Sequence, residues 1–170
     1  GFFGVAAALM LAKKHEVHVG WTGGVNRRSV SEMALCFMIG LSRRVFYSAR
    51  DLVVKNDWTK SGGSNLSNRV IGIIGVGFVG KDLVTLLKPF GCKILVNDTL
   101  DQSEYYKSMG LVCCSKEAIF AEADIISVHT PLNDSTRGLF NKTVFNKMKK
   151  SAYFINCARG GVVVQEDLKQ

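Results

Sequence analysis

A glycine-rich turn near the middle of the sequence has the clearest chemical pattern. Gly75, Gly77 and Gly80 have the spacing G-x-G-x-x-G, directly after the apolar run 70–74 and before apolar residues with helical spacing. In that setting the first glycine allows a tight turn, the second lets the backbone approach a phosphate, and the third lets the helix pack on the strand. Free amides and the helix dipole then favour a pyrophosphate. The residues predicted to line it are Gly75, Gly77, Phe78, Val79 and Gly80.

An acidic residue follows at the distance that this chemistry requires. Asp98 lies 23 residues after Gly75, at the end of the next predicted strand. A carboxylate there can bind both hydroxyls of an adenosine ribose and repels a 2′-phosphate, so the sequence favours NAD over NADP. The alternative is that Asp98 is only a turn residue at the end of a strand.

Two later strands also end in polar turns. The run 124–129 leads into His129, Thr130 and Pro131, and the run 153–156 leads into a turn that carries Arg159. Ligands of open α/β sheets bind beyond the carboxyl ends of the strands, so both turns are predicted to lie beside the cofactor. We interpret His129 as lining the nicotinamide side, not as the base that transfers a proton. The Arg159 guanidinium can grip a carboxylate or polarise a carbonyl, although a surface arginine fits the residues equally well.

The elements that must position these turns alternate between strand and helix after residue 69. This alternation predicts an α/β, Rossmann-like, doubly wound parallel sheet. Before it, apolar residues at helical spacing predict one long helix over 29–55, begun by a capping box of Ser29 and Glu32, and a polar loop over 60–68. The predicted strands are 17–20, 70–74, 93–97, 111–113, 124–129 and 153–156. The other predicted helices end near 14 and 87 or span 102–109, 116–121, 142–147 and 165–169.

Composition excludes several classes of function. The chain has 170 residues, enough for one domain with a hydrophobic core. Its apolar run 1–12 is too short to span a membrane as a helix. The net charge of +8 is scattered over the sequence, without a DNA-binding motif, so we predict no nucleic-acid partner. The five cysteines lie among apolar residues and predict buried, reduced thiols in a cytoplasmic protein. We predict no metal site.

Three segments together resemble the D-isomer-specific 2-hydroxyacid dehydrogenase family. They are IGIIGVGFVG, ADIISVHTPLNDSTRGLFN and MKKSAYFINCARGGVV, and the resemblance runs from about residue 20 to residue 170. The family includes phosphoglycerate, formate, glycerate and D-lactate dehydrogenases. The resemblance implies NAD as cofactor, a small 2-hydroxy or 2-oxo acid as substrate, and a homodimer formed through the 29–55 helix.

The resemblance also assigns roles to single residues. Arg159 would be the catalytic residue that binds the carboxylate and 2-oxygen of the substrate. Residues 1–25 would be a remnant of the substrate domain, and 26–170 an NAD-binding domain incomplete at its C-terminus. The residues implied to line the cofactor are Gly75, Gly77, Phe78, Val79, Gly80, Asp98, His129, Thr130, Pro131, Thr136, Cys157, Ala158 and Arg159.

The sequence departs from the family pattern in two ways that matter. Phe78 stands where a small or basic residue is usual, which leaves its backbone amide but can remove a second phosphate contact. The glutamate and the acid–base histidine that the family places after the arginine are not present after Arg159. We therefore expect these 170 residues to bind NAD without turnover. The alternatives are an NAD-sensing, corepressor-type dimer without catalysis, and a dimerisation module without a ligand.

Overall fold

A central sheet of five parallel strands organises the chain in a computed structural model, which describes residues 2–20, 22–58 and 62–169, the side chains of 2–7 excepted. The spatial order is β3-β2-β1-β4-β5. Successive strands are added on one side of β1 up to β3 and on its other side from β4 onward, so the strand order reverses between β1 and β4. Parallel pairing joins Ile71 to Ile94 on one side of β1 and to Ile125 on the other. The strands are β1 (Val70–Ile74), β2 (Lys93–Asn97), β3 (Val112–Cys113), β4 (Ile125–Val128) and β5 (Tyr153–Asn156).

Helices cover both faces of this sheet, as the alternating sequence pattern predicts. Their bounds are α1 (Phe2–Lys14), α2 (Arg27–Ser42), α3 (Val45–Lys55), α4 (Phe78–Leu87), α5 (Ser103–Met109), α6 (Lys116–Glu122), α7 (Lys142–Phe145) and α8 (Gln165–Leu168). On one face, Met38 of α2 and Leu83 of α4 pack with Ile73 of the sheet. On the other, Phe120 of α6 packs with Ile126 of β4 and with Phe140. The predicted Rossmann-like α/β class is therefore confirmed.

The long helix predicted over 29–55 is wrong as a single element. The helix is interrupted at residues 43–44, where Arg44 takes a left-handed conformation (φ +57°), and α3 begins at the next residue. The predicted capping box is also absent from this part of the structure. Helix α2 already begins at Arg27, its N-cap is Asn26, and no side chain caps it, so Ser29 and Glu32 lie inside the helix.

Two smaller predictions also fail. Residues 17–20 have no strand structure, since they extend from the end of α1 without a pairing partner among the described residues.

The five cysteines are free thiols, but Cys36 and Cys113 are exposed rather than buried. Burial raises the pKa of the other three thiols, Cys92, Cys114 and Cys157. The predicted loop is observed at 62–68, while Trp21 and residues 59–61 lie outside the described residues.

Within the described ranges, no helix has both the length and the apolar character needed to cross a membrane. The same residues contain no cluster of three or more histidine, cysteine or acidic side chains suited to a metal ion.

Candidate functional site

The candidate site is a groove at the carboxyl ends of β1, β4 and β5. This edge of the sheet is where the chain order reverses, which is the usual position of a ligand in an open α/β fold. The groove has a volume of about 360 Å³. Its lining residues are Gly24, Asn26, Val30, Gly77, Phe78, Val79, His129, Thr130, Pro131, Leu132, Cys157, Ala158 and Arg159. Nine of the thirteen predicted cofactor residues thus line one groove, although they come from three separate turns.

The lack of a side chain has a different structural consequence at each of the three glycines of the turn. Gly75 has φ +93°, and a Cβ there would stand 2.8 Å from the His129 carbonyl carbon, so both conformation and space require glycine. Gly80 lies against the Gly75 carbonyl, which brings α4 close to β1. Gly77 has no atom within 4 Å of the position of a Cβ and borders the groove. Of the three, only Gly77 therefore leaves space that a ligand can fill.

Asp98 stands at the end of β2 and organises the glycine turn. Its Oδ2 accepts a hydrogen bond from the Val76 backbone amide at 2.6 Å, and its Oδ1 accepts one from the Leu100 amide at 3.0 Å. The structural alternative from the sequence is thus partly right, since the carboxylate does shape a turn. The Thr99 hydroxyl also donates to Oδ1 in a long hydrogen bond of 3.5 Å, so the second lone pair of Oδ2 is the acceptor that remains for a ribose hydroxyl.

His129 closes the strand end opposite the glycine turn. Its backbone amide donates to the Ile74 carbonyl at 2.8 Å, which extends the pairing of β4 with β1. Its Nε2 lies 2.9 Å from Ser127 Oγ. Burial lowers the pKa of His129 to about 4, so the imidazole is neutral at pH 7. A ring with this pKa is a weak base, which agrees with a lining role and not with proton transfer.

The residues after Pro131 form a closed loop. Thr136 Oγ1 donates to the Pro131 carbonyl at 2.6 Å and accepts from the Asn133 amide at 2.9 Å. Thr136 does not line the groove. Its hydrogen bonds instead support the loop that carries Pro131. Gly75, Gly80 and Asp98 are likewise not among the lining residues.

Arg159 is positioned by the turn that follows β5. Asn156, the last residue of the strand, accepts from the Ala158 amide at 3.0 Å and donates to the Arg159 carbonyl at 2.9 Å. These two bonds fix the turn from both sides. The exposed Arg159 guanidinium borders the groove and donates to the Ala158 carbonyl at 2.9 Å. Asn156 is a supporting residue that the sequence interpretation did not single out, although it stands in the quoted segment.

The sequence also did not reveal one wall of the groove. Gly24, Asn26 and Val30 belong to the turn before α2 and to its first helical turn. The Gly24 backbone lies on the Phe78 ring, since a Cβ on Gly24 would stand 2.6 Å from that ring. Neutral residues far from the glycine turn carry no chemical signal of their own. The segment GGVNRRSVSEMAL, which contains all three, resembles the family's entry into the cofactor domain, but that resemblance did not place it at the groove.

The groove suits a dinucleotide in its donors and acceptors. Gly77 offers open space beside the first amides of α4, which have no acceptor within the helix. Thr130 Oγ1 is buried, and within the described part of the chain it has no hydrogen-bond partner. A buried hydroxyl without a partner is costly and marks a place for a polar ligand group.

Comparison with known proteins assigns the family. The model of the NAD-binding domain of D-isomer-specific 2-hydroxyacid dehydrogenases matches residues 35–170. A formate dehydrogenase of Neurospora crassa is 32% identical over 154 residues, which cover 86% of this chain and 41% of that protein. A D-3-phosphoglycerate dehydrogenase of Bacillus subtilis is 34% identical over 154 residues, covering 89% and 29% respectively.

Solved structures agree with this assignment. D-lactate dehydrogenase with NAD⁺ from Lactobacillus jensenii is 34% identical with a TM-score of 0.82, covering 94% of this chain and 48% of that one. The pyruvate reductase of Chlamydomonas reinhardtii is 31% identical with a TM-score of 0.83, covering 95% and 48%. The chain therefore belongs to the NAD-binding domain family of the D-isomer-specific 2-hydroxyacid dehydrogenases, and its cofactor is NAD. It spans less than half the length of these four relatives.

Proposed function

We propose that these residues are the cofactor half of an enzyme that transfers a hydride between NAD and C2 of a D-2-hydroxy or 2-oxo acid. Bound NAD supplies the redox chemistry, because its nicotinamide C4 gives or takes the hydride. The observation that carries the proposal is that one groove contains both the open backbone at Gly77 and the guanidinium of Arg159. The first suits a pyrophosphate and the second suits an acid substrate.

The residues have separate roles along the groove in this proposal. The amides that follow Gly77 hold the pyrophosphate, and Asp98 holds the adenosine ribose. Thr130 offers its unpartnered hydroxyl to the cofactor, next to His129. The remaining predicted cofactor residues, which line or support the nicotinamide side, are Pro131, Thr136, Cys157 and Ala158.

Arg159 acts on the substrate. Its guanidinium can bind the carboxylate with two parallel hydrogen bonds and stabilise charge that develops on the 2-oxygen. The Asn156 bonds hold the backbone from which it projects. The identity of the acid would be decided outside these residues, in the substrate domain.

Hydride transfer at an alcohol carbon also needs a group that moves the hydroxyl proton. The three histidines of the sequence are His15, His18 and His129, and all precede Arg159. The lowered pKa of His129 makes it a poor proton acceptor. We therefore propose that the 170-residue chain binds NAD and does not turn over.

One preparation of the purified chain tests this proposal. Nicotinamide fluorescence follows a titration with NADH, and NAD reduction is assayed with D-lactate, D-glycerate and D-3-phosphoglycerate. We expect saturable NADH binding and no NADH formation. Steady turnover with any of the three 2-hydroxy acids would contradict the proposal that these 170 residues lack a working proton-transfer group. Absence of NADH binding would contradict the cofactor site itself.

We further propose that residues 1–25 belong to the substrate domain and that 26–170 form the cofactor domain. The family match within the second range and the exposed Leu9, Met10 and Leu11 of α1 support this boundary. We also propose a reducing, cytoplasmic location, which the exposed thiols of Cys36 and Cys113 support.

A homodimer through α2 and α3 is the assembly that we propose. None of the α3 residues is buried, yet the helix carries exposed apolar side chains, of which Val53 is 83% accessible. A hollow lined by Val45, Leu52 and Trp58 adds to this surface. Exposed apolar surface of this extent is typical of an interface.

Sedimentation velocity at micromolar concentrations tests the dimer. We expect a dimer for the unmodified chain and a monomer for Val53→Asp. Leu168→Asp is the matched control, because it charges an exposed leucine on α8, outside both helices. A monomeric unmodified chain, or a Val53→Asp variant that stays dimeric, would contradict the proposed interface.

The corepressor alternative gains no support. The relatives described above are dehydrogenases or a reductase, and no feature of the groove favours a dimer switch over catalysis.

A further inference from the structure

A polar cluster joins α2 to α4 behind the groove. Asp82 of α4 binds the Arg28 guanidinium through Oδ1 at 2.9 Å and accepts a hydrogen bond from the Ser31 hydroxyl through Oδ2. Ser31 is fully buried, and only 11% of the Asp82 side chain is accessible. The two helices pack closely on the same face of the sheet, so this carboxylate lies inside a helix–helix contact.

The cluster connects the two walls of the groove. On α2, Ser31 directly follows Val30, which lines the groove. On α4, Asp82 lies one turn after Phe78 and Val79, which also line the groove. The Gly24 backbone on the Phe78 ring is the second contact between these walls. At this end of the groove, the contact of Gly24 with Phe78 and the charged cluster add to the apolar packing of α2 on α4.

The cofactor sites described above do not use Asp82. The pyrophosphate lies at the first turn of α4, and Asp98 stands at the end of β2, on the other side of the glycine turn. Gly24, Asn26 and Val30 line the same groove as His129 and Arg159, whereas Asp98 does not line it. A shift of α2 relative to α4 would therefore move the nicotinamide side and leave the adenosine side in place.

We propose that Asp82 is a positioning residue for the nicotinamide end of the cofactor, an inference that rests on the proposed NAD site. By holding Arg28 and Ser31, it fixes the first turn of α2 against α4. It touches neither cofactor nor substrate in this proposal, and it acts only through the placement of Asn26 and Val30. Removal of Asp82 would leave the buried Ser31 hydroxyl without its acceptor and Arg28 without its ion pair. Because unpaired buried polar groups are costly, the first turn of α2 would then move away from α4.

ADP-ribose and NADH separate this role from a merely structural one. ADP-ribose keeps the pyrophosphate and the adenosine but lacks the nicotinamide ring. Calorimetric titration of Asp82→Ala is expected to show NADH affinity lowered about tenfold, because displaced Asn26 and Val30 fit the nicotinamide end less well, and ADP-ribose affinity changed less than about twofold. Asp82→Asn keeps an oxygen acceptor for Ser31, so its NADH affinity should lie closer to that of the unmodified chain.

Asp124→Ala is the matched control, since Asp124 also joins elements through a carboxylate, but at the opposite edge of the sheet. It accepts from the Val70 amide and from Lys149, each at 2.9 Å. This control should lower the melting temperature and leave both affinities unchanged. If Asp82→Ala does not fold, Ser31→Ala is measured in its place, with the same expected separation of the two ligands.

Three results would overturn the inference. If Asp82→Ala lowered the affinities for NADH and ADP-ribose equally, Asp82 would be a general structural residue. If it lowered neither affinity, Asp82 would have no role in the site. An Asp124 control that also discriminated between the ligands would show that reduced stability alone causes the effect. If the unmodified chain bound neither ligand, the proposed function would fail first, and that outcome is distinct from the other three.

Discussion

Adding one methyl group at Gly77 separates ligand binding from folding. The residue has φ −79° and ψ −152°, an extended conformation open to alanine, and no atom lies within 4 Å of the position of the new Cβ. A substitution without strain or overlap changes the free energy of unfolding by about 0.5 kcal/mol or less. The Gly77→Ala variant is therefore expected to fold and melt like the unmodified chain.

Binding should respond very differently, because the added methyl occupies the space beside the helix start. The Lys81 backbone amide donates to the Gly77 carbonyl at 3.0 Å, and the backbone amides before it in α4 have no acceptor within the helix. A phosphate displaced by a methyl group loses at least one of these amides. A hydrogen bond to a charged group contributes about 2 kcal/mol, so NADH affinity should fall about thirtyfold.

The assay pairs a thermal melt with a fluorescence titration of the same Gly77→Ala sample. An unchanged melting temperature with NADH affinity lowered about thirtyfold is the expected result. NADH binding as tight as that of the unmodified chain would refute the reasoning, because the pyrophosphate could not then approach Gly77. A large drop in melting temperature would show that the space beside Gly77 is needed for folding.

Three further predictions follow from the same site. Gly80→Ala should lower the melting temperature by several degrees, because its methyl overlaps the Gly75 carbonyl and overpacking costs about 1–3 kcal/mol. The pKa of His129 falls from 6.5 to about 4 on folding, so the unfolded chain binds an extra proton between these values. Stability should then decrease by up to about 3 kcal/mol as pH falls from 6.5 to 4 in urea titrations, and His129→Gln should flatten that slope. Asn156→Ala should lose about 1–2 kcal/mol of stability in urea, since two hydrogen bonds around Arg159 disappear.

The buried strands were predictable because parallel strands covered on both faces have continuous apolar runs. The bounds predicted for β1, β2 and β5 agree with the structure at both ends. The same logic fails for residues 17–20, where a short apolar alternation has no neighbouring strand to pair with in the described residues.

The break between α2 and α3 could not be predicted from periodicity. Apolar residues continue at helical spacing through 41, 45 and 52, so the pattern has no interruption at 43–44. At the turn, the Phe46 ring lies on Gly40 of the preceding helix, six residues earlier in the sequence. A contact of that kind leaves no local signature beyond one glycine in a helix.

The candidate site divides along similar lines. Glycines and charged residues such as Asp98 and Arg159 are visible because their chemistry is unusual at a strand end. Asn156 and Asp82 were missed, because an amide and an acid in ordinary surroundings gain their roles only from backbone groups and helices brought near by folding.

The most direct test of the NAD site is the selectivity of the chain between NADH and NADPH, before and after Asp98→Asn. The asparagine keeps an oxygen acceptor for the Val76 amide and removes the charge that repels a 2′-phosphate. We predict clear preference for NADH in the unmodified chain, and a preference at least about tenfold smaller in the variant. Equal binding of both cofactors by the unmodified chain, or an unchanged preference after the substitution, would contradict the assignment of Asp98 to the adenosine ribose.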